Sequence, residues 1–361
     1  MKRMDYIKLK KLGLSDRFEQ EAALYDGLFL ARVSEQHCDL YKVISEQGEL
    51  PASVSGKLAY NASANTDFPV VGDWVMIDRT DGNTGNAVIH HVLRRKSVFE
   101  RKAAGTSHTS QIVASNIDII FICMSLNADF NLRRLERYLS IAWDSMATPV
   151  IVLTKADLCK DLDIRLAEIS TVSVGTDVVV CSSMDESGYV DVTPYITEGK
   201  TIAFIGSSGV GKSTLINRLM GQDVLATKGL RADDKGRHAT THRQLLLLPN
   251  DGIVIDTPGM RELHLGSGNL SRSFEDIEDL AAECKYKDCS HTTEPCCAVR
   301  TAIETGELLE ERFESYQKLQ KEAGYEGLNS RQLEQEKIKR MFGGMGEMKQ
   351  AMKHAKDKNR R

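Results

Sequence analysis

The stretch that most constrains this chain is Thr201-Ile-Ala-Phe-Ile-Gly-Ser-Ser-Gly-Val-Gly-Lys-Ser-Thr-Leu215. Ile202 to Ile205 read as a buried strand, and Thr214-Leu-Ile-Asn-Arg-Leu219 opens a helix. Between them Gly206-Ser207-Ser208-Gly209-Val210-Gly211-Lys212-Ser213 fits G-x-x-x-x-G-K-[ST]. The three glycines let the backbone close round a phosphate chain with its N–H groups pointing inward, and the helix N-terminus adds partial positive charge. In this pattern Lys212 reaches the β/γ-phosphates, the Ser213 hydroxyl binds Mg²⁺, and Thr214 completes the nucleotide-binding set. A mere glycine-rich turn lacks the flanking strand and helix. The stretch implies a nucleoside triphosphate site.

A chain of 361 residues is long enough for two or three domains with their own cores. With 41% hydrophobic and 27% charged residues it reads as soluble and globular. No apolar run approaches the 18 or so residues of a membrane span. Met1-Lys-Arg-Met-Asp-Tyr-Ile-Lys8 has charge but no apolar core of a secretory signal, so a cytoplasmic protein without membrane contact is expected. The net charge of −4 argues against a general nucleic-acid binder. Its distribution is uneven: residues 331–361 hold ten Lys/Arg against four Asp/Glu. That basic tail suits RNA, an anionic surface or an acidic protein, and equally a solvated helix.

From about Ala22 to Arg101 short β-like runs alternate with turns: Gly27–Val33, Leu40–Ile44, Leu50–Val54, Trp74–Ile77 and Ala87–Val92. Five strands in about 80 residues suggest a small barrel of OB-fold type. Trp74 is expected in the barrel core rather than as a base-stacking platform, and His90 and His91 read as ordinary strand residues. The first twenty residues carry no clear pattern.

After Gly105 the period changes. Ile117–Met124, Pro149–Leu153 and Asp177–Cys181 read as buried parallel strands, with helices over Leu132–Ala142 and Ile164–Ser170. The alternation implies a three-layer α/β sheet with sites at the strand C-termini. Strand 149–153 runs into Thr154-Lys155-Ala156-Asp157, close to the guanine-reading tetrapeptide N-K-x-D. Asp157 there accepts hydrogen bonds from the ring N–H and exocyclic amine of guanine, a pair adenine lacks, while the Lys155 stem lies along the base; the bland alternative is a helix cap. Strand 177–181 leads to Ser182-Ser183, where the backbone of a second base loop belongs. Downstream of the P-loop, Gly236-Arg-His-Ala-Thr-Thr241 has the polar character of a switch. Gly252-Ile-Val-Ile-Asp-Thr-Pro-Gly259 is a strand ending in D-x-x-G, with Asp256 set to hold Mg²⁺ through water and the Gly259 N–H to sense the γ-phosphate. The motifs of a GTPase are therefore all present, in rotated order. Loops gathered on one sheet edge keep their site when the chain is circularly permuted.

From Ser271 the pattern turns helical again, with Ser273 a candidate cap for Phe274, Ile277, Leu280 and Ala281. Cys284, Cys289 and His291, with Cys296 or Cys297, then make a C-x4-C-x-H-x5-C run. Three thiolates and an imidazole suit a closed, structural zinc site, and in a cytosolic chain metal is favoured over a disulfide. Cys38, Cys123, Cys159 and Cys181 are scattered; three of these sit in or beside apolar runs and read as buried thiols. Ala298–Ala323 and Arg331–Arg361 read as helices, the latter with a stripe of Met341, Met345, Met348 and Met352.

Rotated motifs flanked by a small barrel and a Cys3His knot resemble the ribosome small-subunit-dependent GTPases, the RsgA/YjeQ family. The likeness runs from about Leu28 to Leu319 and includes Leu50-Pro-Ala-Ser-Val-Ser-Gly-Lys57, Asp67-Phe-Pro-Val-Val-Gly-Asp-Trp74, Leu132-Arg-Arg-Leu-Glu-Arg137 and Cys284 to Arg300. The resemblance implies an OB-fold barrel (21–105), a circularly permuted GTPase domain (106–268) and a helical zinc-binding domain (269–323); an N-terminal extension (1–20) and a basic helical tail (324–361) are expected outside the matched stretch. It implies docking on the small ribosomal subunit, GTP hydrolysis stimulated by that subunit and a role in its late maturation; beside it, rRNA contact by the basic tail is expected, and a monomer, since nothing in the sequence calls for an obligate oligomer. The alternative is a GTP-gated rRNA-binding checkpoint or placeholder whose hydrolysis serves only for release. By family spacing Cys297 is the fourth zinc ligand, His238 in switch I is the catalytic histidine, and Thr240 is the Mg²⁺ threonine with Thr241 its fallback. Met260 stands where Ras-like enzymes place a water-orienting glutamine, so intrinsic turnover is expected to be slow. Thr154 replaces the family's Asn, removing an amide that would tether the P-loop; this bears on GTP affinity more than on guanine selectivity.

Overall fold

The β-branched and aromatic runs of the first hundred residues close on themselves. In a computed structural model β1 (Phe29–His37), β2 (Leu40–Ser45), β3 (Gly48–Val54), β4 (Trp74–Ile77) and β5 (Ala87–Val92) lie in the order β1-β2-β3-β5-β4, and β4 returns to pair with β1. The result is a five-stranded barrel filled by Val33, Val43, Leu50, Val75, Ile77 and Ile89. The structure describes residues 6–37, 40–81, 85–102, 110–127, 130–182, 188–207, 209–222, 243–256, 273–286 and 289–323.

Two short helices, α1 (Ile7–Lys11) and α2 (Asp16–Ala22), precede the barrel and bury Leu9, Leu12, Leu14 and Phe18. Five and seven residues are too few for a helical period to show in sequence, so tertiary burial stabilises them. Phe18 packs on Trp74, ring centroids 5.7 Å apart; Trp74 is 1% exposed, buried as expected, but in the core it shares with α1 and α2 rather than in the barrel interior. A third helix, α3 (Gly56–Asn61), follows β3. After the barrel, β6 (Val98–Lys102) and β7 (Ser110–Ser115) form a separate antiparallel pair.

The motif Gly72-Asp73-Trp74 binds this pair to the barrel. Gly72 has φ +96°, and a Cβ there would sit 2.2 Å from the Ser115 carbonyl oxygen. Asp73 is fully buried, receives Arg95 through Nε at 2.8 Å and Nη2 at 2.7 Å, and accepts from the Ser115 hydroxyl and the Val70 N–H. A bidentate guanidinium with further donors offsets the cost of burying that carboxylate.

The α/β half contains β8 (Ile119–Ser125), β9 (Thr148–Thr154), β10 (Asp177–Val180), β11 (Thr201–Ile205), β12 (Arg243–Leu247) and β13 (Ile253–Asp256). They run in the order β10-β9-β8-β11-β13-β12, parallel except for β12. Alternate residues feed two cores. Ile120, Ile122, Ile151, Leu153, Ala203 and Ile205 meet α4 (Leu132–Asp144) and α5 (Leu162–Ser170). Phe121, Cys123, Val152, Ile202, Phe204 and Val254 meet α6 (Lys212–Met220). Covering both faces is why these strands read as unbroken apolar runs. β12 also pairs antiparallel with barrel strand β1, at Glu35↔Gln244 and Gln36↔Arg243, so one sheet of eleven strands crosses from barrel to α/β core.

Beyond it, α7 (Glu275–Ala282), α8 (Ala298–Thr305) and α9 (Glu310–Ala323) form a helical unit. Its anchor is the buried Arg312, which binds Asp276 through Nε and Nη2 at 2.7 Å each and Glu136 of α4 at 2.8 Å. Ser273 does not cap α7, contrary to the sequence expectation: Phe274 occupies that position, the Ser273 carbonyl accepts from Arg312, and its hydroxyl has no partner. The Met341–Met352 stripe and the basic tail lie outside the described residues.

Candidate nucleotide site and metal centre

β11 is flanked by β8 and β13, so its C-terminal loop opens at the middle of the parallel sheet edge. Gly206 turns away from β8 with φ +139°; a Cβ there would stand 2.3 Å from the Cys123 carbonyl oxygen. Gly209 and Gly211 also have positive φ, at +81° and +101°. The loop therefore needs glycine for close approach at one position and for backbone conformation at the others. The Lys212 ammonium donates to the Gly206 and Ser207 carbonyls at 2.6 Å each, which holds it inside the loop where a phosphate would be met. Val210 is buried and anchors the loop to the core under α6, while Ser213 and Thr214 begin that helix. Ser208 lies outside the described residues.

The tetrapeptide at the end of β9 meets this loop directly. The Thr154 hydroxyl, buried, donates to the Val210 carbonyl, and Lys155 Nζ donates to the Gly209 carbonyl at 2.7 Å. A hydroxyl thus supplies the tether that an amide would make in the family pattern. Lys155 takes a left-handed backbone (φ +58°), which turns Ala156 and Asp157 into a short 3-10 segment. The second base loop closes on it: the Ala156 N–H donates to the Cys181 carbonyl at 3.2 Å, and the Ser182 hydroxyl donates to Asp157 Oδ1 at 2.8 Å. Asp157 is exposed, with its carboxylate at the open edge of the site. Ser183 lies outside the described residues.

One neighbour was not legible in the spacing. Arg134, in the first turn of α4, donates to the Ser207 hydroxyl of the P-loop. The run Leu132-Arg-Arg-Leu-Glu-Arg137 marks a helix, but nothing in it says which face meets the loop. Among the switch residues only the Asp256 backbone is described, ending β13 opposite Gln244. His238, Thr240, Thr241, Gly259 and Met260 lie outside the described residues.

In the helical unit Cys284, Cys289, His291 and Cys297 bring one donor atom each within 4.8 Å of one another. A tetrahedral zinc with bonds of about 2.3 Å to sulfur and 2.0–2.1 Å to nitrogen puts S···S at about 3.8 Å and S···N at about 3.6 Å. The structure has Cys284 Sγ–Cys297 Sγ at 3.8 Å, Cys284 Sγ–His291 Nδ1 at 3.6 Å and His291 Nδ1–Cys297 Sγ at 3.4 Å. These spacings suit a shared ion and exceed a disulfide bond of about 2.05 Å. Cys297 is buried at the start of α8, whereas Cys296 is exposed. Glu294 organises the connecting loop, accepting from the Ser290 hydroxyl and the N–H groups of Ser290, Thr292 and Thr293; the Ser290 hydroxyl and these backbone donors hold its carboxyl well below the usual range.

A P-loop on the central strand, with the base-reading loops on strands that precede it in sequence, defines a circularly permuted P-loop GTPase. Residues 92–266 match the family model of the RsgA GTPase. Residues 189–354 also match the ABC transporter model, whose stretch starts just ahead of the strand–loop–helix cradle common to both classes. The chain is 55% identical over 356 residues to small ribosomal subunit biogenesis GTPase RsgA 2 of Lactiplantibacillus plantarum, covering 98% of this chain and 99% of that one. It is 46% identical to RsgA 1 of Oceanobacillus iheyensis, covering 83% and 87%. Among solved structures it is similar to YjeQ from Thermotoga maritima (TM-score 0.61, 26% identity, 82% and 98% covered). It is also similar to YloQ, described as a circularly permuted GTPase (TM-score 0.60, 25% identity, 83% and 96% covered). The chain belongs to the RsgA GTPase family. No described helix is long and apolar enough to cross a membrane.

Proposed function

We propose that this GTPase acts in the late maturation of the small ribosomal subunit, hydrolysing GTP when that particle stimulates it. The observation that carries the nucleotide half is the meeting of Thr154 and Lys155 with the P-loop carbonyls of Val210 and Gly209. It joins a phosphate cradle at the end of β11 to a guanine reader at the end of β9, across the end of the intervening β8. The ribosomal half is supported by relatives named for small-subunit biogenesis that match nearly the whole chain.

In this reading the N–H groups of residues 206–214 cradle the phosphates, Lys212 offsets charge that develops on the β/γ-oxygens, and Asp157, Ser182 and Ser183 read the base. Mg²⁺, held by Ser213, Thr240 and Asp256, would supply further charge stabilisation. The Gly259 N–H senses the γ-phosphate, and His238 orients the attacking water once ribosome binding positions it. Zinc would be structural, because Cys284, Cys289, His291 and Cys297 fill all four positions. The barrel and the basic tail contact rRNA, and the protein works as a cytoplasmic monomer with domain limits near 20, 105, 268 and 323.

The test is GTP hydrolysis by the purified chain alone and with small or large subunits. Stimulation by the small subunit only, lost in Lys212→Ala and in His238→Ala, is expected. If neither subunit stimulates, the ribosomal role fails; if His238→Ala keeps full stimulation, its catalytic role fails.

A further inference from the structure

Two cations converge on Ser207, and only one of them belongs to the phosphate-binding motif. Lys212 donates to the Ser207 carbonyl at 2.6 Å, and the Arg134 guanidinium donates through Nη1 to the Ser207 hydroxyl. Lys212 is the group that meets the β/γ-phosphates in a loop of this pattern. Because both side chains reach the same residue, the guanidinium stands within one residue's breadth of that ammonium. Lys155 lies further along the loop, on the Gly209 carbonyl. The β/γ end of the cradle is therefore flanked by two positive groups where the motif supplies one.

The fold fixes Arg134 in that place. β8 lies beside β11, paired through Ile122↔Ile205, so the helix that follows β8 begins next to the loop that follows β11. Asn131 caps α4 by accepting from the Arg134 N–H at 3.0 Å, which sets the first turn. Leu135, Leu139 and Ala142 bury the core face of the same helix. Glu136, 1% exposed, accepts from Arg312 of the helical unit at 2.8 Å and from Arg133 at 2.7 Å. A side chain on a turn capped, packed and ion-paired in this way is held in position before any ligand arrives. Arg134 is itself half-buried, so solvent ions screen its charge less than they would at an open surface.

Bracing a serine hydroxyl needs only a neutral donor. A guanidinium stays charged in proteins, so wherever it is held it adds a full positive charge. A nucleoside triphosphate carries more negative charge than the diphosphate, and carries the excess at the end that Lys212 marks. A fixed cation at that end favours the triphosphate, whereas one beside the base acts on both nucleotides alike.

We propose that Arg134 is a specificity-determining residue of the nucleotide site: pinned by Ser207, its charge raises the affinity for GTP relative to GDP. This rests on the reading of residues 206–214 as the phosphate cradle and goes beyond it, because Arg134 belongs to none of the nucleotide-binding motifs.

The test titrates the full chain, with Mg²⁺ present, against fluorescent GDP and the fluorescent β,γ-imido analogue of GTP, which is not hydrolysed. Arg134→Met keeps the aliphatic stem and removes the charge. It should weaken binding of the analogue about tenfold and of GDP no more than about twofold, with the melting temperature unchanged. Arg134→Lys should restore most of the preference for the analogue. Ser207→Ala, which keeps the charge but releases it, should fall between wild type and Arg134→Met; Arg134→Gln replaces the methionine variant if that one melts early. Equal weakening of both nucleotides, an unchanged ratio, or no recovery in Arg134→Lys would overturn the proposal, since each is what a mere brace would give. Lys212→Ala separates this outcome from failure of the site itself. If it binds both nucleotides like wild type, the phosphate cradle is misassigned and the proposal falls with it. If it loses both while Arg134→Met keeps the wild-type ratio, only the role of Arg134 is lost.

Discussion

At Thr154 a single hydroxyl joins the base-reading loop to the P-loop by donating to the buried Val210 carbonyl. Removing it leaves that carbonyl without its donor, a loss of about 1–1.5 kcal/mol, so Thr154→Val should lower GDP affinity about tenfold. Thr154→Ser should stay close to wild type in a fluorescent-GDP titration. The thiols divide just as sharply. Burial pushes Cys123 up to about 12 and Cys181 up to about 11. A raised thiol pKa leaves almost no thiolate below it, so iodoacetamide at pH 8 should spare both, labelling beginning only as the pH climbs towards those values. Exposed Cys296 should react at once, and Cys284, Cys289 and Cys297 only after a chelator removes zinc. By the same geometry Cys297→Ser should lose the metal and Cys296→Ser retain one zinc per chain, measured by atomic absorption. The run of cysteines by itself left Cys296 and Cys297 open, the family spacing pointed to Cys297, and Cys297 is the one that the turn before α8 brings to the other three.

At the scale of elements, strand and helix periods were readable wherever an element buries a continuous face. Trp74–Ile77 and Ala87–Val92 match their strands to the residue, and the apolar runs of the parallel strands match within two or three positions. Short elements were not readable. α1 and α2 owe their helicity to Leu9 and Phe18 reaching the core. The role of Gly72 was equally hidden, since its close approach is to Ser115, a residue on another element. Gly72→Ala combines a positive φ with a clash against backbone and should cost at least about 3 kcal/mol. Spread over the cooperative unfolding of a 361-residue chain, that corresponds to a melting temperature lower by about 4 °C.

At the scale of the molecule, barrel and α/β core share more than a linker. β1 pairs with β12, and Arg32 of β1, 1% exposed, reaches three segments at once. Its guanidinium donates to the carbonyls of Leu12 and Gly72 and, at 2.8 Å, to the Thr201 hydroxyl at the start of the P-loop strand, and it lies 5.4 Å from the Trp74 ring. Burial draws its pKa down to about 10 while Asp118 and Asp73 hold it up. Asp118 in turn accepts from Lys96 at 2.7 Å and the Thr201 N–H at 2.8 Å. Barrel and core should therefore unfold in one calorimetric transition, with van't Hoff and calorimetric enthalpies equal; two resolved transitions would show that the junction is weak.

What the sequence determined by itself was local chemistry: a phosphate loop between a strand and a helix, a base-reading tetrapeptide at a strand end, metal-ligand spacing, and the rotated order that marks the permutation. Those signals survive in one dimension because each is made by residues a few positions apart. Only the tertiary structure decided how the pieces meet. It placed the Thr154 hydroxyl on Val210 and Arg134 on Ser207, brought the four metal-ligand candidates together, and merged barrel and core into one sheet at β1 and β12. Each of those depends on groups brought together from distant parts of the chain, where burial and charge, rather than spacing, set what a side chain does.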